Sequence, residues 1–199
     1  MSGDPVAAST VRVVIAEDEP LIRLDLRESL EEEGYEVVGE AGDGSEAVSL
    51  VREHRPDVAI LDIKMPNVDG LSAAREIVGE RLAAVVVLTA FSQRELIEEA
   101  RDAGVLNYLV KPFQRQELVP AIEIAIARFR ELVALSDQTE ALADQLETRK
   151  LVDRAKGLLM DTRGMSEQDA FRFLQTTAMA SRSSMKEIAS KVVAGELAP

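Results

Sequence analysis

Five polar side chains in this sequence stand where chemistry could be done, each directly after a short apolar run. Glu17 and Asp18 follow VRVVIA (11–16), Asp62 follows DVAIL (57–61), Thr89 follows AAVVVL (83–88) and Lys111 follows LNYLV (106–110). Three carboxylates brought to one place repel one another unless a cation sits among them, and hard oxygen ligands with open positions suit Mg2+. A lysine opposite them partly offsets the charge and can bind a phosphoryl oxygen. Thiolate and histidine-cluster metal chemistry is excluded, because the chain has no cysteine and a single histidine, His54.

These groups converge only if the apolar runs are strands of one parallel sheet. The runs above, with EVVGE (36–40), alternate with helix-like stretches near 19–33, 44–54, 70–80 and 93–103. That alternation reads as five βα units, and the continuous apolar character of the strands implies helices on both faces. Gly34 and Gly104 stand where the first and fourth helices should stop. In such sheets functional groups gather beyond the carboxyl ends of the strands, where the strand order reverses.

From Gln114 the pattern turns helical without interruption, with Leu118, Ile122, Ile126, Phe129 and Val133 forming the stripe of a fifth helix. Leu132, Leu135, Leu142 and Leu146 then fit heptad positions interrupted by Thr139. Two readings stand open for them: a short coiled coil, or a linker helix whose leucines fold back on the tail. RKLVDRAKGLLMD continues helical and breaks at Gly164; Ser166 with Asp169, and Ser184 with Glu187, then open two more short helices.

The 199 residues carry a net charge of −13, unevenly spread. Residues 1–148 hold 14 basic and 30 acidic side chains, a balance of −16, whereas 149–199 hold 9 and 6, a balance of +3. Any polyanion contact therefore belongs to the tail. The start, MSGDPVAAST, has no basic segment ahead of an apolar core, and the longest apolar run, Leu82–Leu88, is far below a membrane span. The expectation is a soluble, cytoplasmic protein with no membrane partner and with residues 1–10 loosely ordered.

The set AEDE, LDIKMP-x-x-DG, LTA and YLVKPF, in this order and on these strands, resembles the receiver domain of two-component response regulators over about residues 10–135. The resemblance implies a flavodoxin-like, doubly wound five-stranded sheet of order 2-1-3-4-5. It implies that Asp62 accepts a phosphoryl group from a sensor histidine kinase or a small phosphodonor. It further implies that Asp18, Asp62 and the Lys64 carbonyl hold Mg2+, with Glu17 acting largely through water. Lys111 would clamp the phosphoryl group, with a cis Lys111–Pro112 bond. Thr89 and Tyr108 would form the switch, the hydroxyl moving toward the phosphoryl group and the ring turning inward, so that the face of the fourth helix, fifth strand and fifth helix changes.

The tail resembles the ANTAR antiterminator output domain over about residues 148–193, through AKGLLM, SEQDAFRFLQTTAM and a short last helix with EIA. That implies a small all-α, three-helix unit binding hairpin RNA, whose loop bases are unstacked and open to side chains. Arg154, Lys156, Arg163, Arg172, Arg182 and Lys186 are the candidate phosphate contacts, and Ala155 and Gly157 the places where RNA or a helix could come close. Phe171, Phe173, Leu174 and Met179 read as bundle core, since periodicity alone explains them. The expected organisation is 1–10, receiver 11–135, helical linker 136–148 and RNA-binding domain 149–199, acting as a phosphorylation-dependent homodimer. A DNA-binding regulator and a phosphorelay or dimerisation module without nucleic-acid binding are the alternatives. An enzymatic output is not expected, because the tail holds no nucleophile and base pair and no metal-ligand set.

Overall fold

The structure is a computed structural model that describes residues 10–90 and 94–197. The segment expected to be loosely ordered lies, apart from Thr10, outside them, as does the start of the helix read from residue 93. The chain divides into two compact units, residues 1–133 and 134–199.

In the first unit the order is β1 (Arg12–Ala16), α1 (Pro20–Glu32), β2 (Glu36–Ala41), α2 (Gly44–His54), β3 (Val58–Asp62), α3 (Gly70–Gly79), β4 (Ala84–Thr89), α4 (Arg94–Asp102) and β5 (Asn107–Val110). All strand pairs are parallel, and the sheet runs β2-β1-β3-β4-β5. β3 and β4 are buried along their whole length, and their side chains divide by the period of two. Val14, Ala16, Ala59, Leu61, Val85 and Val87 meet α2, α3 and α4. Val13, Ile15, Val58, Ile60, Val86 and Leu88 meet α1 and the first turns of the next helix, through Leu26, Leu30, Leu118, Ile122 and Ile126. Gly34 and Gly104 take positive φ, +86° and +78°, where α1 and α4 stop.

That next helix, α5 (Arg115–Arg163), runs 49 residues, so no break separates the fifth receiver helix from the first helix of the tail. Leu135, Leu142 and Leu146 are 59, 65 and 55% exposed, which rules out the reading in which they fold back on the tail.

The second unit is closed by α6 (Glu167–Ser181) and α7 (Met185–Val193). Its core is small: Ala155 and Leu159 of α5, Ala170, Leu174 and Ala178 of α6, and Ile188, Ala189 and Val192 of α7. Alanine at three fully buried positions lets the helices approach closely, at the cost of little apolar area per residue. Local signals therefore matter more. Ser166 accepts the Asp169 amide, and Ser184 and Glu187 form a reciprocal capping box. Gly164, at φ +63°, ends α5 where the sequence placed the break. We expect Ser184→Ala to cost about 1 kcal/mol, read as faster hydrogen exchange in α7 amides with β3 amides unchanged; equal exchange in α7 would contradict this role.

Candidate functional site

The reversal of strand order falls between β1 and β3, and the carboxyl ends of these two strands carry the acidic groups. Ligand oxygens of Glu17, Asp18 and Asp62 lie within 4.8 Å of one another. Glu17 is 1% exposed and Asp62 7%, while Asp18 stands open to solvent. Lys111, brought across from the end of β5, donates to Glu17 Oε2 at 2.5 Å and contacts Asp62 Oδ1 at 2.8 Å. Burial works to lower the pKa of this ammonium, but its bonds to Asp62 and Glu17 outweigh that and hold it above the ordinary lysine value. Burial likewise pushes the Glu17 carboxyl up, against the pull of Lys111. Three hard carboxylates around one point, with one lysine to offset them, fit a divalent cation of the magnesium type.

A hollow of about 410 Å³ opens above this cluster, lined by Asp18, Asp62, Lys64, Thr89 and Lys111 together with Ile22 and Ala90. Thr89 is buried, at 5% exposure, at the end of β4. Tyr108 is 41% exposed on β5. The Lys64 amide donates to Asp62 Oδ2 at 3.1 Å, which orients the carboxylate. The Lys111–Pro112 bond is cis. Six of the seven receiver positions chosen from the sequence lie at the carboxyl edge of one sheet, whereas Tyr108 pairs with Val87 in the body of β5 and does not line the hollow.

Two supports were not chosen from the sequence. Arg23 of α1 donates to the Glu17 carbonyl oxygen at 2.6 Å and fixes the turn after β1. Gly70 packs so closely that a Cβ there would stand 1.9 Å from the Asp62 carbonyl oxygen. The motif ending in DG displayed this glycine, but only the close approach of α3 to β3 explains it. Ala90, directly after Thr89, is a small residue at the rim of the hollow.

In the second unit the six candidate cations spread over all three helices and the turn after α6. Arg154, Arg163, Arg172 and Arg182 are exposed. Lys156 is held between Asp153 Oδ1 (2.9 Å) and Glu167 Oε1 (2.8 Å), and these bonds, Glu167 first, raise its pKa. Lys186 reaches Asp144 Oδ1 at 2.6 Å and Glu147 Oε2 at 3.4 Å. A phosphate binding at either lysine competes with these carboxylates for its charge. Ala155 lies in the domain's own core, whereas a Cβ at Gly157 would meet nothing within 4 Å.

The aromatic assignments need correction. Leu174 is buried and Phe173 packs against the core, but Phe171 is 45% exposed and Met179 70%. Helical periodicity admits them to the core; the positions of α5 and α7 leave them on the outer face of α6. The connection between α6 and α7 is also only three residues, Arg182 to Ser184, so a helix, short turn and helix are present. The second of these helices carries only Lys186 and Lys191, which is poor in charge for a groove-reading helix.

Known proteins match both units. Residues 13–123 match the response regulator receiver domain family and residues 140–193 the ANTAR domain family. The chain is 58% identical over 190 residues, 96% of its length and 93% of the relative's, to the transcriptional regulatory protein PdtaR of Mycobacterium tuberculosis. The receiver domain of the M. tuberculosis response regulator NarL superposes with a TM-score of 0.58 at 34% identity, covering 60% of this chain and 98% of that one. A CheX–CheY complex of Borrelia burgdorferi, solved with BeF3 and Mg2+, superposes at 0.53 and 26% identity over 56% of this chain and 86% of that one. Among the described residues no helix is long and apolar enough to cross a membrane.

We expect Gly70→Ala to force the Asp62 backbone from its place and destabilise the first unit by roughly 1–3 kcal/mol. Denaturant unfolding followed at Tyr35 and Tyr108 measures this, and a wild-type midpoint would contradict the packing argument.

Proposed function

The chain belongs to the family of response regulators that join a receiver domain to an ANTAR antitermination domain, and on that premise we propose how its residues carry the switch. The observation that carries the proposal is the convergence of Glu17, Asp18, Asp62, Thr89 and Lys111 at one sheet edge.

Asp62 is the phosphoryl acceptor. Its carboxylate oxygen forms a bond to phosphorus as the bond from phosphorus to the leaving group breaks, and the electron pair departs with the imidazole of a kinase phosphohistidine or the carboxylate of a small acyl phosphate. Asp18, Asp62 and the Lys64 carbonyl would hold Mg2+, with Glu17 acting largely through water, and the ion would supply positive charge to offset that of the transferring group. Lys111, already 2.8 Å from Asp62 Oδ1, is placed to take a phosphoryl oxygen. Thr89 follows the phosphoryl group and Tyr108 turns inward from its exposed position, altering the face built by α4, β5 and α5.

The altered face promotes pairing of two chains, and the exposed leucines Leu135, Leu142 and Leu146 of α5 offer a second copy a heptad seam of their own. Two tails together then engage two RNA hairpin loops, so that the excess positive charge of the tail is doubled. Antitermination follows because the RNA held in this way cannot form a terminator. A sensor histidine kinase upstream and hairpin RNA downstream are the partners this mechanism requires.

Asp62→Asn should abolish uptake of label from acetyl phosphate while leaving the circular dichroism unchanged; undiminished labelling would remove the acceptor assignment. Lys156→Gln should lower the salt slope of RNA binding by about one, and an unchanged slope would remove Lys156 from the RNA contacts.

A further inference from the structure

Phe171 is the most exposed phenylalanine among the described residues and stands outside the unit's core, against which Phe173 packs. The hollow beside it, about 450 Å³, is lined by Lys156 of α5 and by Glu167, Gln168, Phe171, Arg172 and Gln175 of α6. Positions 168, 171, 172 and 175 follow helical spacing, so one face of α6 presents an aromatic ring flanked by two amides and a guanidinium.

A single ring rimmed by polar groups is a poor core for a protein contact, where the centre of the patch is apolar and depleted of charge. It is suited to an unstacked nucleobase: the ring supplies a stacking face, the amides can meet a base edge, and the cations can take the adjoining phosphates. Glu167, which holds Lys156 at 2.8 Å, can accept a hydrogen bond from a base amino group once Lys156 turns to phosphate.

Resting on the reading of the tail as RNA-binding, we propose that this hollow receives one flipped loop base of the RNA, stacked on Phe171. Lys156 and Arg172 contact the phosphates on either side, and Gln168 and Gln175 face the base edge. The side chain whose periodicity suggested core is a contact with the ligand.

The chain contains no tryptophan, so Phe171→Trp places a single indole fluorophore at the site. The test uses the full chain with beryllofluoride and a labelled two-hairpin RNA, intact or abasic at successive loop positions. Phe171→Ala should weaken binding by roughly 10- to 100-fold with the salt slope unchanged, as expected for loss of stacking without loss of charge. Phe171→Trp should restore affinity, and its emission should be quenched by the intact RNA and not by the RNA abasic at the critical position.

Wild-type affinity in Phe171→Ala, or an indole emission that RNA leaves unmoved, overturns the proposal while the RNA reading stands. Loss of self-association in Phe171→Ala at unchanged RNA affinity assigns the face to a protein contact and equally overturns it. If the wild-type chain binds no RNA with or without beryllofluoride, the RNA reading itself fails and this proposal falls with it.

Discussion

Mutual repulsion among Glu17, Asp18 and Asp62 is the constraint on which the rest of the first unit depends. Held within 4.8 Å, the three carboxylates need positive charge, and Lys111 from β5 is the cation the chain itself provides. For Lys111 to arrive there, β5 must lie beside β4 and β4 beside β3, which the parallel register delivers. A phosphoryl group or a divalent ion entering the cluster changes which charges Lys111 must balance. The same crowding makes the site responsive to an added charge, with buried Thr89 at the end of the neighbouring strand β4 lining the hollow.

The second unit works under the opposite constraint. Its core of eight buried side chains, several of them alanines, contributes little area, so helix ends and surface charges decide more of its behaviour. Lys156 and Lys186 are held by carboxylates of the same unit, which keeps the local field weak until a stronger anion competes. Affinity of one tail for RNA should therefore be modest and steeply salt-dependent, which suits an output that depends on bringing two tails together.

Much of this was legible in the residues because it is local. The strand runs, the glycine stops at Gly34, Gly104 and Gly164, and the capping serines Ser166 and Ser184 each follow from a few neighbouring side chains, and the structure has them there. The carboxylate cluster was legible because the end of a strand is a definite place in a parallel sheet. Outcomes set by packing between distant segments were not. Phe171 and Phe173 are two residues apart, about 200° around the helix, and only the seating of α5 and α7 decides which one is covered. The demand for glycine at position 70 comes from the Asp62 carbonyl of another element, and the carboxylate partners of Lys186 lie some forty residues away in α5.

In the mechanism proposed above, phosphorylation of the first unit governs RNA binding by the second. Its most direct test is binding of the full chain to a labelled two-hairpin RNA and to duplex DNA, each with and without beryllofluoride and Mg2+, across a salt series. Beryllofluoride should tighten binding to the RNA, this binding should weaken as salt rises, and duplex DNA should compete poorly. Equal RNA affinity with and without beryllofluoride, or a preference for duplex DNA, would contradict it.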